Sequence, residues 1–83
     1  MKTIVYTQHA LTALAERGLS REWVESIVRA PQWTEPAPDD SQVLRYFGPV
    51  PERGGRFLRV AVVETITEFR IVTLFLDRRA RPK

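Results

Sequence analysis

HALTALAERGLSREWVESIVRAP, residues 9–31, reads as two short helices with a signal at each boundary. Thr7 precedes the first, where its hydroxyl can accept from a free N–H of the opening turn. Ala10, Leu11, Leu14 and Ala15 then fall on one side at helical spacing. Gly18 ends that helix, because glycine takes the left-handed cap conformation without a Cβ clash. Ser20 caps a second helix, with Glu22 in its first turn, where the helix dipole favours an acid. Val24, Ile27 and Val28 form the second apolar stripe. Pro31 stops the helix, since the residue before a proline is pushed out of the α region.

The segments on either side read as strands. KTIVY (2–6) is rich in β-branched and aromatic residues, a short opening strand. From Gln32 to Ser41 the chain shows no period and carries Pro36, Pro38, Asp39 and Asp40, so it is expected to be loop. QVLRYF (42–47) alternates, GPVPERGG (48–55) is rich in turn residues, and RFLRVAVVE (56–64) and FRIVTLFL (69–76) are longer strands joined tightly through TITE. The order β-α-α-β-β-β predicts an α+β domain, with a two-helix hairpin on one face of a mostly antiparallel sheet. Residues 1–83 are expected to form a single domain, with 77–83 a frayed basic tail.

A period of two assigns the faces. Leu44, Leu58, Val60, Val62, Val72, Leu74 and Leu76 form the aliphatic rows expected under the helices. The opposite face then presents Arg45, Phe47, Phe57, Arg59, Thr73 and Phe75, a surface of arginines and rings. Strict alternation puts Tyr46 and Arg70 on the helix side, which requires an edge position or a bulge.

Composition narrows the function classes. The chain has 83 residues, no cysteine and one histidine, so neither a disulfide framework nor a thiolate metal site can form, and no metal or cofactor is expected. No apolar run approaches a membrane span and no basic-then-apolar leader is present, so a cytoplasmic location without membrane contact is expected. Residues 1–44 carry four Lys/Arg against six acids, and residues 45–83 nine against four. With a sequence pI near 10.0, that asymmetry points to a polyanion, nucleic acid before membrane.

The pattern HAxxxxxERGxSxExVxxxxxxP, followed by FLRVAVVE and RIVTLF, resembles the bacterial domain-of-unknown-function family 4258. Thr7-Gln8-His9-Ala10, Glu16-Arg17-Gly18-Leu19-Ser20, Pro31 and the closing Val72-Thr73 carry the resemblance, which spans about residues 5–77. Leu14 and Ala15 stand where that family often has Arg-Met, and Leu19 replaces its Ile. The family's element order is similar to that of RelE/BrnT-like toxins, small basic ribonucleases of toxin–antitoxin operons. That likeness implies RNA as substrate and an antitoxin as partner.

Two functions follow. The first is a toxin-like, metal-independent endoribonuclease: Arg45 and Arg59 bind and stabilise phosphate, and Phe57 or Phe75 stacks a base. His9 serves as acid or base, because an imidazole can take and give a proton near neutral pH. The second is a noncatalytic module that binds protein or nucleic acid through the same sheet face, or pairs there with a second copy. His9 also admits a structural reading, as a pin on the adjacent strand or an exposed residue. Arg78 and Arg79 are read either as solvated tail or as further phosphate contacts.

Overall fold

A computed structural model describes residues 2–82. Lys83, the last residue of the expected basic tail, lies outside them. The elements are β1 (Thr3–Tyr6), α1 (Gln8–Arg17), α2 (Arg21–Arg29), β2 (Trp33–Ala37), β3 (Asp40–Val50), a single 3-10 turn (Pro51–Arg53), β4 (Arg56–Glu64) and β5 (Glu68–Asp77). The strands form one sheet in the order β1-β5-β4-β3-β2, parallel only between β1 and β5. The class is α+β as expected, with one strand more than the sequence suggested.

Both helices begin and end at their predicted signals. The Thr7 hydroxyl accepts from Ala10 N at 3.1 Å, and the Ser20 hydroxyl accepts from Glu22 N at 3.1 Å. Gly18 sits at φ 61°, and its N–H reaches the Ala15 carbonyl to close α1. One detail of the α1 stripe differs: Ala13 is buried and Ala15 exposed. Both helices cover the same face of the sheet, α1 over β5 and β1, α2 over β3 and β4. Between them and the sheet lies one core, including Ala10, Leu14, Val24, Val28, Leu58, Val60, Val62, Ile71 and Leu74. At Gly48 the approach of α2 is so close that a Cβ would stand 2.7 Å from Ile27 Cγ1.

Three expectations are corrected. Residues 32–41 are not all loop: Trp33–Ala37 forms β2, an edge strand paired with β3, and the edge position tolerates Pro36 because its missing N–H faces away from the ladder. β3 extends through Gly48 to Val50, so the turn-rich stretch begins only at Pro51. β5 is bulged at Val72. Ala61 pairs with Thr73 and Val62 with Ile71, so two residues of β5 oppose a single step of β4. The bulge turns Ile71 into the core, fully buried, and Arg70 out to the open face. Strict alternation places Arg70 under the helices and Val72 in the aliphatic row, whereas Val72 lies on the open face. The Thr7 hydroxyl donates to the carbonyls of Ile71 and Val72, each at 3.1 Å, and so satisfies acceptors at the bulge.

Tyr46 is buried under the helices, and its hydroxyl donates to Glu64 Oε1 at 3.2 Å. Burial first, and then the neighbouring Glu64 carboxylate, push its pKa upward. Tyr6 donates likewise to Glu25 Oε2 at 3.0 Å, tying β1 to α2, and burial again is the main reason its pKa is raised. Glu64 also accepts from Lys2, the main cause of its lowered pKa.

Candidate functional site: the open sheet face

Among the described residues no helix covers the second face of the sheet, and register alone fixes what lies there. One cross-strand row runs Trp33, Phe47, Arg59, Phe75 from β2 to β5. The next runs Glu35, Arg45, Ala61, Thr73. Arg45 and Arg59 are therefore diagonal neighbours on adjacent strands, within reach of one another.

The rings divide into two sets. Trp33 stacks on Phe47 with centroids 4.6 Å apart and planes 6° apart, and meets Phe57 edge-on at 5.0 Å. Phe47 is only 2% exposed as a result, so it is a packing residue and not a free stacking platform. Trp33 Nε1 is buried without a hydrogen-bond partner among the described residues. Phe75 stands apart from this cluster, with the Arg59 guanidinium 4.2 Å over its ring.

Arg45, Arg59, Thr73 and Phe75 line a hollow of about 300 Å³, whose wall also includes Asp39 and Asp40. The ion pairs of these two arginines are long. Arg59 Nε lies 3.6 Å from Asp77 Oδ2, and Arg45 Nη1 lies 4.0 Å from Glu35 Oε1. Burial lowers the Arg59 pKa, and the Arg45 charge lowers it further, against the pull of Asp77 and Glu35. An arginine stays protonated through any such shift, so the consequence is stored repulsion between two cations rather than loss of charge. An oxyanion bound between them would relieve that repulsion, and it could accept bidentate bonds at about 2.7–2.9 Å.

The remaining predicted residues lie as follows. Phe57 is half-buried on the open face, against Trp33. Arg78 and Arg79 are exposed in a turn after β5, held by Arg79 N donating to Asp77 Oδ1 at 2.9 Å. Ala80 beyond them is buried, and Arg81 and Pro82 after it are exposed. His9 is exposed in the first turn of α1, the helix layer on the opposite face from Arg59. The sheet thus separates the imidazole from the arginine hollow, and the two do not meet within one chain. The contact that pins β5 comes instead from Thr7.

Three residues of the open face escaped sequence reading. Trp33 and Glu35 lie in the stretch read as loop, although Trp33-Thr34-Glu35 alternates and pairs with β3. Asp77 was assigned to the tail, although Thr73, Phe75 and Asp77 continue the open-face row at a period of two. Among the described residues no three His, Cys, Asp or Glu side chains are placed to hold a metal ion, and no helix is long and apolar enough to cross a membrane.

Fold and face together define a small α+β domain with one sheet surface covered by helices and the other bearing an arginine–aromatic hollow. The chain belongs to the family described as domain of unknown function DUF4258, which it matches over residues 6–76. Compared with the curated proteins and with the solved structures, it gives no match. The expected likeness to RelE/BrnT-like toxins therefore rests on element order alone.

Proposed function

We propose that the protein is a noncatalytic RNA-binding module whose open face takes a single strand, with a phosphate between Arg45 and Arg59 and a base against Phe75. The observation that carries this is the pair of adjacent guanidiniums, each in a long ion pair with a carboxylate, beside a ring outside the packed aromatic cluster. A phosphate bound there exchanges two weak ion pairs for direct, charge-assisted bonds. Stacking on an aromatic side chain typically adds about 1–3 kcal/mol per base.

Strand cleavage is left out of this reading for a geometric reason. The chain has one imidazole, His9, and its helix packs on the face away from Arg59. A toxin-like ribonuclease would need another acid–base pair in the hollow, where the nearest titratable groups are carboxylates.

The test is binding of a labelled single-stranded RNA of 12 nucleotides, followed by fluorescence anisotropy across a salt series, with the same samples run on a denaturing gel in EDTA. The parent is expected to bind with a clear salt slope. Arg45→Ala/Arg59→Ala should lower that slope by about 1.4, two phosphate contacts at roughly 0.7 each. Equal slopes for parent and variant would overturn the proposal. Cleavage that both His9→Ala and Arg59→Ala abolish, with both variants folded, would return the ribonuclease to first place. An antitoxin-like protein that covers this face would release the RNA in the same assay.

A further inference from the structure

A second set of arginines lies beyond the outer edge of β5. Arg17 at the end of α1, Arg56 at the start of β4 and Arg78 just after β5 converge with Leu19 and Leu76 on a hollow of about 370 Å³. Its remaining wall is Phe75, which also lines the open-face hollow. One ring therefore separates two groups of arginines. Residues 72–77 of β5 have no strand beside them on this outer edge, because β1 pairs only with Glu68–Ile71.

The two hollows differ in their counter-charges. The open-face hollow is bounded by Asp39 and Asp40, at the β2–β3 turn on the far side of the sheet from β5. Among the described residues no acid lines the second hollow and no carboxylate pairs with Arg17, Arg56 or Arg78. An anionic strand seated between Arg45 and Arg59 is thus repelled from the Asp39–Asp40 flank and attracted toward the three arginines past Phe75, where the nearby Asp77 is already paired with Arg59. Both fields act within a Debye length of about 8 Å at physiological ionic strength.

We infer that the second hollow holds the continuation of the same RNA strand, which runs from Arg45 and Arg59 across Phe75 and around the β5 edge to Arg17, Arg56 and Arg78. This rests on the reading of the open face as an RNA site. Phe75 is then the central platform: Arg59 occupies one side of its ring, and the ring also reaches the second hollow, where the next base or sugar can lie. Three guanidiniums without carboxylates suit consecutive phosphates. A second copy of this chain would bring three more cations to the same place and be repelled.

The experiment compares a trinucleotide and an octanucleotide of single-stranded RNA, by anisotropy against salt concentration. Arg56→Ala/Arg78→Ala leaves Arg17 at the helix end, and thermal unfolding checks that the variant is folded. Its salt slope for the octanucleotide should fall by about 1.4, with trinucleotide affinity unchanged. Arg56→Lys/Arg78→Lys should keep the parent slope. An unchanged octanucleotide slope in the alanine variant, while Arg45→Ala/Arg59→Ala still weakens binding, would overturn the extended path and leave the open-face site standing. Failure of the parent to bind RNA at all would remove both. Binding of a poly-glutamate peptide in place of RNA, lost in the same alanine variant, would assign the hollow to an acidic protein and overturn the inference.

Discussion

Gly48→Ala should destabilise the protein through a single contact. The added Cβ would lie 2.7 Å from Ile27 Cγ1, and 3.3 and 3.4 Å from its Cδ1 and Cγ2. Ile27 cannot swing away cheaply, because a β-branched side chain in a helix has one strongly preferred χ1 rotamer. Its Cγ1 is also close to the backbone rather than at a flexible tip. Either α2 lifts from β3, or both side chains strain. Overpacking of this kind typically costs about 1–3 kcal/mol. The loss of glycine's freedom in the unfolded chain offsets roughly 0.4–1 kcal/mol of that. A net loss of about 1–2 kcal/mol remains, a fall in Tm of roughly 4–16 °C for a domain of this size. Calorimetry or thermal circular dichroism on Gly48→Ala, Ile27→Ala and the double variant closes the cycle. Ile27→Ala alone should cost about 2–5 kcal/mol, and the double variant should be more stable than the sum of the singles by about 1–2 kcal/mol. Additive losses, or a Gly48→Ala variant as stable as the parent, would refute the claim that this glycine sets the distance between α2 and the sheet.

Two further predictions concern the covered face. Thr7→Val keeps the shape but removes both the cap to Ala10 N and the bonds to the Ile71 and Val72 carbonyls. It should cost about 1–2 kcal/mol, with faster hydrogen exchange at Ala10, whereas Thr7→Ser should stay close to the parent; equal stabilities would remove Thr7 as the clamp on the bulge. The chain has two tyrosines, Tyr6 and Tyr46, and both have raised pKa values. Their contribution is fully present below the unfolded tyrosine pKa of about 10, and is lost as pH rises above it, because the unfolded chain ionises first. Ultraviolet titration should show phenolate forming in the folded protein only at higher pH than in the unfolded chain, and together with unfolding. A phenolate signal near pH 10 with the fold intact would contradict the two part-buried hydroxyl–carboxylate bonds.

Much of the fold was legible because its signals are local. Thr7, Gly18, Ser20 and Pro31 act on the backbone within a turn of where they stand, so the helix limits could be read residue by residue. Leu58, Val60 and Val62 on β4 alternate without interruption, since a central strand flanked on both sides has no freedom to slip. The same period of two places Arg45, Arg59, Phe57 and Phe75 on one surface from the sequence alone. β2 was different: a short strand containing Pro36 and followed by Pro38 has little intrinsic preference for extended pairing. What stabilises it is the ladder with β3 and the stacking of Trp33 on Phe47, partners 14 residues apart in sequence.

The sequence by itself determined the α+β class, the helix boundaries and the arginine–aromatic character of one sheet face, because each follows from short-range stereochemistry and the period of two. Only the tertiary structure decided the rest. The bulge at Val72 exchanges Arg70 for Ile71 in the core, as burial outweighs a perfect ladder. Trp33 turns Phe47 from a free ring into a packed one. The sheet stands between His9 and Arg59, since the apolar stripe of α1 must bury against the aliphatic face and carries the imidazole with it.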